Sequence, residues 1–523
     1  MTRGNIYLTG FMGAGKSTVG QLLAKSMRRT FVDMDAVLER EFKMSIPEVF
    51  ATVGEEEFRS RENALLKKLG NRTRLVVATG GGVPENGRNR AIMRQSGKTV
   101  YLDADLQSCM SRLNSGDRAS RPLWREGRKL EELFRRRAEL YAACDVRVHV
   151  DEKRPEEITN AIIARLFEDE KFSATLGEAE CPVIVTCDAP AALSRFVRGR
   201  RVALITDRTV SRIHGSRFRD LLDDPVEIVV QPGERSKTLS TARRIFEKLH
   251  DQRFERDDMV VALGGGVVTD LAAFVASTYK RGMHIALVST TLLGCVDAAV
   301  GGKTAVNLGS TKNVIGTFNI PAAVILDIFS LGTLHRKQIS EGLVEAYKTG
   351  LVASPTLASL IERETRNLRS GDLQLLAEVA SLSARSKAHV VAQDFREAGR
   401  RRILNFGHTF GHAVEAFHRF RISHGQSVAL GMIAATRLSE ARGLLSSDAA
   451  ERIISTTREI SPYDVAPPPP DEAWEQMRHD KKIKGGKMVF VLIEGIGQAV
   501  CVDDVSRQEV AAAFRRIEEK SDG

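Results

Sequence analysis

The chain contains 523 residues, which is too many for one ordinary hydrophobic core, so two to four domains are expected. Hydrophobic residues make up 42% and charged residues 28%, which is typical of globular domains. The six cysteines form no CxxC pair, so a reduced, cytoplasmic protein is expected. We expect no membrane binding, because the sequence has no signal-peptide pattern and no long apolar run. The net charge is +10, but only 6% of residues are aromatic and no block of Lys and Arg occurs, so we expect anionic small molecules as partners rather than nucleic acid.

The first pattern along the chain is a phosphate-binding loop. NIYLTG predicts a short buried strand, GFMGAGKST at 10–18 fits GxxxxGK[ST], and VGQLLAKSM predicts the helix behind it. In this context glycines let backbone N–H groups close on the phosphates of ATP, the lysine reaches the β- and γ-phosphates, and the serine hydroxyl binds Mg²⁺. The predicted nucleotide-binding residues are Gly13, Gly15, Lys16, Ser17 and Thr18.

Residues that suit a hydroxylated, anionic substrate follow this loop. A second predicted strand ends in FVDMD, whose Asp33 and Asp35 point to the same side of an extended segment, one for Mg²⁺ and the other for a substrate hydroxyl. Three glycines at 80–82 permit the close approach of a small ligand. A Gly/Ser-containing stretch around 112–121 predicts a mobile lid over phosphates. The arginines that are candidates for binding an anionic ligand in this region are Arg59, Arg112, Arg118, Arg121 and Arg137.

Together these motifs resemble shikimate kinase over about residues 4–170, because GFMGAGKST, VDMD, GEEEFR, TGGG, SRPL and R-x-x-x-Y occur in that family's order. The resemblance implies transfer of the γ-phosphoryl group of ATP to the 3-hydroxyl of shikimate. It implies that Lys16 and Ser17 serve the nucleotide and Mg²⁺, with Asp33 near the metal. Asp35 would hold and deprotonate the attacking hydroxyl, and Arg121 would stabilise charge on the transferring phosphoryl group. The residues implied to bind shikimate are Asp35, Arg59, Gly81 and Arg137.

The domain organisation follows from changes in patterning. We expect a P-loop domain over 1–170, with a parallel sheet and flanking helices, and an acidic, unpatterned linker over 171–182. Beyond the linker we expect an α/β domain over 183–335 and a mainly α-helical domain over 336–523.

The second α/β region carries a pattern typical of dinucleotide binding. RVALITD predicts a buried strand ending at Asp207, and DDMVVALGGGVVTDLAAFVAS predicts a strand, a glycine turn and a helix. GGGVVTD is not GxGxxG, so the pattern alone is weak. Asp207 suits adenosine ribose hydroxyls, and Asp270 suits those of the nicotinamide ribose. The further residues predicted to bind NAD are Glu234, Lys237, Gly265, Gly266, Thr290, Thr291, Asp297, Lys303 and Lys312.

Histidines crowd together in RRILNFGHTFGHAVEAFHRFRISHG at 401–425. His408 and His412 are four residues apart and share a helical face, while His424 follows after a predicted turn. In EGLVEAYKTG, Glu345 and Lys348 lie one helical turn apart. Imidazoles with one carboxylate suit Zn²⁺ or Co²⁺ in a site that keeps a position open for substrate. Spacing alone favours His408 and His412 as the paired ligands.

These motifs, with GERSKT, VDAAVGGKTAVN, STKNVIG, SHGQSVALGM and DKK, resemble 3-dehydroquinate synthase over about residues 183–505. The resemblance implies NAD⁺ as a recycled cofactor and the metal ligands Glu345, His408 and His424, which leaves His412 for the substrate. It implies that 3-deoxy-D-arabino-heptulosonate 7-phosphate is converted to 3-dehydroquinate and phosphate. A homodimer through this half is expected. The residues expected at this substrate are Arg281, Asp297, Lys303, Asn313, Lys348, Lys387, Arg401, Asn405, His412 and one of Lys481 and Lys482, with Lys348, Lys387, Arg401 and His412 active in catalysis.

The sequence therefore predicts a bifunctional enzyme of aromatic amino-acid precursor synthesis. One alternative is that the second half is a metal- and NAD-dependent polyol dehydrogenase, although such an enzyme would not need so many Lys and Arg residues around its substrate. A second is that the first half phosphorylates another small molecule. A third is a nucleotide-binding regulator without catalytic activity.

Overall fold

Two compact units, Met1–Glu168 and Asp169–Gly523, make up the chain. Each contains a largely parallel β-sheet with flanking helices, which confirms the predicted α/β class. The computed structural model describes residues 4–112, 127–309, 311–419, 421–462, 465–481 and 488–517.

The first unit is built on a five-stranded sheet. Its strands are β1 (Asn5–Thr9), β2 (Thr30–Asp33), β3 (Leu75–Ala78), β4 (Gly97–Asp103) and β5 (Val146–His149). All pairings are parallel, in the order β2-β3-β1-β4-β5, and every residue of the central β1 is buried. Because the carboxyl ends of parallel strands meet at one edge, the phosphate loop after β1, Asp33 at the end of β2 and the glycines after β3 gather there.

Helices cover this sheet. Tyr7, Met34, Leu38, Phe58 and Leu66 belong to one buried core between them. The helices are α1 (Lys16–Met27), α2 (Met34–Phe42), α3 (Ile46–Thr52), α4 (Glu55–Gly70), α5 (Gly87–Ser96), α6 (Leu106–Ser111), α7 (Gly127–Ala142) and α8 (Pro155–Leu166), with a 3₁₀ turn at Val83–Glu85.

One sequence-based expectation is wrong at the end of β2. Asp33 and Asp35 do not share an extended segment, because α2 begins at Met34. The Asp33 carboxylate caps this helix by accepting the backbone N–H groups of Asp35 and Ala36, at 3.1 and 3.3 Å. The capping interaction ends the strand earlier than the FVDMD pattern suggested.

The second unit contains a seven-stranded sheet with one two-stranded ribbon and one C-terminal hairpin. The strands are β6 (Glu170–Leu176), β7 (Ala179–Thr186), β8 (Val202–Asp207), β9 (Val226–Val230), β10 (Met259–Gly264), β11 (His284–Ser289), β12 (Val306–Leu308), β13 (Thr311–Ile315), β14 (Ala323–Asp327), β15 (Phe490–Gly495) and β16 (Gln498–Val502). The large sheet has the order β6-β7-β14-β11-β10-β8-β9 and is parallel except for β6 against β7. β12 with β13, and β15 with β16, pair as separate antiparallel ribbons.

The predicted linker at 171–182 is wrong. These residues lie in β6 and β7, which form an antiparallel hairpin turning at Gly177 (φ 66°). Ala174, Leu176 and Cys181 are buried, so the acidic residues that suggested a linker alternate with a buried apolar face. The hairpin adds an edge to the large sheet, and the second unit begins at Asp169.

Helices dominate the region after the large sheet, as predicted. The helices of the second unit are α9 (Ala189–Val197), α10 (Arg208–Arg219), α11 (Leu239–Asp251), α12 (Gly266–Thr278), α13 (Ile328–Leu331), α14 (Arg336–Ala353), α15 (Pro355–Ser370), α16 (Leu373–Gln393), α17 (His408–Phe417), α18 (His424–Ala441), α19 (Ser447–Ile460), α20 (Pro470–Lys481) and α21 (Arg507–Arg515). Short 3₁₀ turns occur at Glu234–Ser236, Tyr279–Arg281 and Arg400–Asn405, and a π turn at Gly294–Ala298. Within the described ranges, no helix is long and apolar enough to cross a membrane.

Candidate active sites

The phosphate loop has the backbone that its glycines require. Gly13 and Gly15 have φ values of 80° and 89°, in the left-handed region that favours glycine. A Cβ on Gly13 would lie 2.3 Å from the carbonyl oxygen of Cys109, so a side chain has no room there. The Lys16 ammonium donates to the carbonyl oxygens of Gly10 and Phe11, at 2.9 and 3.1 Å, which holds it over the loop.

A hydroxyl and a carboxylate meet beside this loop. Ser17 Oγ donates to Asp33 Oδ2 at 2.5 Å. Hard oxygen ligands of this kind suit Mg²⁺, which is bound in nucleotide sites by one or two protein groups together with phosphates. The donor set therefore fits the predicted magnesium.

The glycines after β3 form the floor of a second, adjacent group of side chains. A Cβ on Gly80 would lie 2.7 Å from Asp35 Oδ1, and one on Gly82 would lie 2.6 Å from Arg59 Nη1. A Cβ on Gly81 would come within 3.4 Å of Arg137 Nη1. Asp35, Arg59 and Arg137 therefore converge on the three glycines.

Two glutamates in this group were not predicted. Glu62 is 2% exposed and accepts Arg59 Nη1 at 3.0 and 3.1 Å, and burial raises its pKa although Arg59 opposes this. Glu85 accepts Arg137 Nε at 2.5 Å. A carboxylate thus orients each arginine, and Arg59 also pairs with Glu55 at 3.2 Å. The position of Glu62, three residues after Arg59 on α4, is the signal that could have revealed it. The predicted lid residues Arg118 and Arg121 lie outside the described residues.

In the second unit a cleft of about 1390 Å³ opens at the carboxyl ends of the parallel strands. Asp207, Gly265, Gly266, Asp270 and Thr290 line it. A Cβ on Gly265 would lie 2.9 Å from a methyl carbon of Thr291, so the backbone is bare where β10 turns into α12. The buried Thr290 hydroxyl has no hydrogen-bond partner among the described groups. The bare backbone and this hydroxyl fit a bound dinucleotide.

A polar network joins the glycine turn to the β12–β13 ribbon. Lys237 Nζ donates to Asp270 Oδ2 at 2.6 Å and to Asn313 Oδ1 at 2.5 Å. Burial raises the pKa of Asp270, and Lys237 only partly offsets this effect. Asn307, which was not predicted, donates to Glu234 Oε1 at 2.8 Å. The network brings Glu234, Lys237, Asp270 and Asn313 together, whereas Asp207 uses Oδ1 to cap α10.

Three side chains from different helices meet in a group that could hold a metal ion: Glu345, His408 and His424. Glu345 Oε1 lies 3.6 Å from His408 Nε2 and 3.4 Å from His424 Nε2. This buried oxygen has no hydrogen-bond partner among the described groups, and one carboxylate with two imidazoles suits Zn²⁺ or Co²⁺. The residues present therefore fit the metal.

The two imidazoles have different electrostatic surroundings. Burial and the nearby Lys348 ammonium lower the pKa of His408 to about 3, so its imidazole is neutral and can bind a metal. Burial alone would lower the pKa of His424, but the neighbouring carboxylates of Glu345 and Glu415 raise it to about 10. A metal ion at Nε2 would replace the proton that these carboxylates attract.

His412 lines the cleft but does not belong to this group. Its ring centroid lies 5.6 Å from that of His408, while the His408–His424 distance is 5.4 Å. Sharing a helical face therefore does not decide which imidazoles meet. The choice made from spacing alone differs from the arrangement of the described residues, because Glu345 of α14 approaches His424 at the start of α18.

Basic residues surround the three side chains. Lys348 Nζ donates to Glu345 Oε2 at 2.5 Å, and Lys387 Nζ donates to Asp297 Oδ1 at 2.6 Å. Burial would raise the pKa of Asp297, but Lys387 and Lys348 lower it to about 2. Arg401 is buried and donates to the carbonyl oxygen of Gly301 at 3.2 Å. Buried cations of this number suit a phosphorylated acid.

Glu397 was missed by the sequence analysis. It forms an ion pair with Lys303 and accepts Asn405 Nδ2 at 2.9 Å, so it orders two of the predicted substrate-binding residues. Its φ of 58° is unusual for a residue with a side chain. Local spacing gave no signal for Glu397, because its ion-pair partner Lys303 lies 94 residues earlier in the chain. Arg281 is exposed at the end of its 3₁₀ turn and does not line the cleft, while Lys482 and the side chain of Lys481 lie outside the described residues.

The two sites define a P-loop kinase joined to an α/β enzyme that binds a dinucleotide and a metal. A family model for shikimate kinase matches residues 12–167, and models for the N-terminal and C-terminal parts of 3-dehydroquinate synthase match 227–341 and 342–483. A bifunctional shikimate kinase/3-dehydroquinate synthase from Thermotoga maritima is 33% identical over 497 residues, which cover 94% of this chain and 96% of the relative. The chain belongs to this bifunctional family, as the sequence predicted.

Further similarities concern the second unit. A 3-dehydroquinate synthase from Symbiobacterium thermophilum is 39% identical over 345 residues, 63% of this chain and 96% of that protein. The solved structure of ValA, a 2-epi-5-epi-valiolone synthase from Streptomyces hygroscopicus with NAD⁺ and Zn²⁺ bound, is 28% identical with a TM-score of 0.61. That likeness covers 66% of this chain and 98% of the structure.

Proposed function

We propose that the chain catalyses two reactions at two separate sites. The first unit transfers the γ-phosphoryl group of ATP to the 3-hydroxyl of shikimate. The second converts 3-deoxy-D-arabino-heptulosonate 7-phosphate to 3-dehydroquinate and phosphate. The observation that carries the second activity is the buried, unpartnered Glu345 oxygen near two imidazole nitrogens, one of which belongs to the cleft-lining His424. Buried cations, Lys348, Lys387 and Arg401, accompany this group.

In the kinase unit the loop amides and Lys16 bind the ATP phosphates, and Ser17 with Asp33 holds Mg²⁺. Arg59 and Arg137 bind the shikimate carboxylate, and Gly81 leaves room for the ring. Asp35 accepts the proton of the attacking hydroxyl; its carboxylate lies by Gly80, next to the glycines that face the two arginines. Arg121 stabilises charge on the transferring group.

In the synthase unit Glu345, His408 and His424 hold the metal, and the glycine turn after β10 holds NAD⁺. When bound, NAD⁺ accepts and returns a hydride, and Zn²⁺ or Co²⁺ polarises the hydroxyl that is oxidised. Lys348, with His412, faces the reacting end of the substrate. The groups that bind its phosphate and carboxylate are Lys303, Asn313, Lys387, Arg401 and Asn405.

One assay series on the full chain tests both activities. Shikimate with ATP should yield ADP, and the heptulosonate phosphate should release phosphate without net accumulation of NADH. NADH accumulating without phosphate release would instead identify a polyol dehydrogenase. ADP formation with other polyols but not shikimate would contradict the kinase assignment.

The shikimate-binding role of Arg59 makes a sharp prediction. Arg59→Lys keeps the positive charge that pairs with Glu62 but loses the planar guanidinium group that can bind a carboxylate with two hydrogen bonds. The KM for shikimate should therefore rise roughly 10- to 100-fold, while the KM for ATP stays unchanged. Steady-state kinetics with each substrate varied measure this. Arg61→Lys is the matched control, since Arg61 lies on the same helix and pairs with Glu57 at 2.9 Å. Equal KM values for shikimate in both variants would show that Arg59 does not bind shikimate.

We also propose a cytoplasmic homodimer formed through the synthase unit. All six cysteines are free thiols, which suits a reducing compartment. The β12–β13 ribbon and the residues that follow it expose Leu308 (52%), Val314 (53%) and Phe318 (46%), an apolar surface of the kind that subunits bury.

The dimer should be detectable in solution. Sedimentation should give about twice the chain mass of 57.6 kDa, and Leu308→Glu with Val314→Glu should shift the protein towards the monomer. Met110→Glu, an exposed apolar residue of the kinase unit, is the control and should leave the mass unchanged. A monomeric parent chain at micromolar concentration would contradict the proposal.

A further inference from the structure

Glu415 is a buried carboxylate in the cleft that has no part in the functions proposed above. It lies on α17, seven residues after His408 and three after His412, and therefore on the same helical face. Its side chain is 5% exposed and lines the cleft. An ionised carboxylate in such a place needs partners, and its partners point to its role.

The first partner is a nitrogen of a proposed metal ligand. His424 Nδ1 lies 3.2 Å from Glu415 Oε1, and because a carboxylate accepts hydrogen bonds, Nδ1 carries the proton. Nε2 is thereby left to face Glu345. His408 is held in the corresponding way, since its Nδ1 lies 3.3 Å from the backbone carbonyl oxygen of Phe406. The two imidazoles thus differ: a backbone oxygen orients one and a side chain the other.

The second partner belongs to the dinucleotide side of the cleft. Lys312 Nζ on β13 lies 3.5 Å from the same Glu415 oxygen. The adjacent Asn313 accepts Lys237, which in turn holds Asp270 beside the glycine turn. One carboxylate oxygen is therefore shared between a proposed metal ligand and a cation of the ribbon.

We propose that Glu415 is a positioning residue that fixes His424 for the metal and, through Lys312, couples the binding of NAD⁺ to the binding of the metal. The proposal rests on the metal and NAD⁺ roles given above. When NAD⁺ binds, its anionic phosphates attract Lys312, so the positive charge of Lys312 moves away from Glu415. The carboxylate then holds His424 Nδ1–H more strongly, which makes Nε2 a better donor. The metal and the dinucleotide consequently strengthen each other's binding.

The affinity for Zn²⁺ alone tests the positioning role. Metal-free full-length protein is titrated with Zn²⁺ against a competing chelator, without substrate or NAD⁺. Glu415→Gln should bind Zn²⁺ about 10- to 100-fold more weakly than the parent protein. Glu362→Gln is the control. Glu362 is a partly buried carboxylate that accepts a hydrogen bond from the Tyr347 hydroxyl at 2.9 Å and does not belong to the group of three proposed metal ligands. The affinity of this variant for Zn²⁺ should equal that of the parent protein.

The same titration with saturating NAD⁺ tests the coupling. NAD⁺ should tighten Zn²⁺ binding several-fold in the parent protein and have little effect in Glu415→Gln. Lys312→Met should bind Zn²⁺ more tightly than the parent even without NAD⁺, because the competing cation is gone. A folded Glu415→Gln protein with parental Zn²⁺ affinity, or a Lys312→Met protein with weaker affinity, would overturn the proposal. Failure of the parent protein to bind Zn²⁺ at all would instead contradict the proposed metal site.

Discussion

Replacing His424 by alanine should give a folded protein that retains almost no zinc and releases no phosphate from the heptulosonate phosphate. A methyl group cannot donate to a metal, and two remaining ligands hold Zn²⁺ poorly. Glu345→Gln should behave similarly while keeping a hydrogen-bond acceptor for the buried Lys348. His412→Ala should keep near-stoichiometric zinc but turn over roughly 30- to 1000-fold more slowly, as expected when a group that meets developing charge is lost.

Elemental analysis of the purified variants, with phosphate-release assays, separates these outcomes. His389→Ala is the control, since His389 is exposed on α16 and contacts Gln393 at 2.9 Å. That variant should match the parent protein in metal and in rate. A metal-free His412→Ala protein beside a fully loaded His424→Ala protein would reverse the ligand assignment.

Replacing Lys16 by methionine should lower ADP formation with shikimate on the order of 10³-fold while phosphate elimination stays near the parental rate. The ammonium that meets the β- and γ-phosphates has no substitute among the described groups of the loop, and the charge it balances grows during phosphoryl transfer. The two units have separate cores, so a local change in the first should not alter the second.

Lys25→Met makes the same substitution at an exposed position of α1 and should leave both activities unchanged. Both rates are measured on one preparation by coupled ADP detection and phosphate release. Comparable loss of both activities in a folded Lys16→Met protein would show that the two sites are linked.

Much of the phosphate-binding part of the kinase site could be predicted, because its residues lie in short, contiguous motifs. The strand, loop and helix around Lys16 follow from glycine conformation and hydrophobic patterning within about fifteen residues. The glycine turn before α12 is equally local. Asp35 lies beside Gly80, near the arginines predicted to bind shikimate, although α2 begins at Met34 and not after an extended FVDMD segment.

The group formed by Glu345, His408 and His424 could not be predicted from local spacing. Helical spacing correctly placed His408 and His412 on one face, but the partner of His408 depends on where α14 brings Glu345. That placement is a matter of packing between helices far apart in sequence. Only the resemblance to a family, not the spacing, indicated His424.

Apart from Asn307, the missed residues are all glutamates. Glu62, Glu397 and Glu415 each pair with a basic or imidazole group that was itself predicted. From sequence alone a glutamate is expected to be exposed to solvent, because the burial of its side chain depends on tertiary contacts. Of these three glutamates, only Glu62 lies within one helical turn of its partner, so helical spacing could have indicated Glu62 alone.

The β6–β7 hairpin bears on how such a two-enzyme chain can be divided or assembled. Only residues 167–169 separate the end of α8 from the start of β6, so the two units are joined by a connection of three residues rather than by a long linker. Cutting the gene within 171–182 would remove β6 and leave the long β7 without its antiparallel neighbour, exposing an unpaired strand edge of the kind that promotes aggregation. A stand-alone synthase should therefore begin at or before Asp169, and swapping the kinase for another domain at that point should leave the sheet intact.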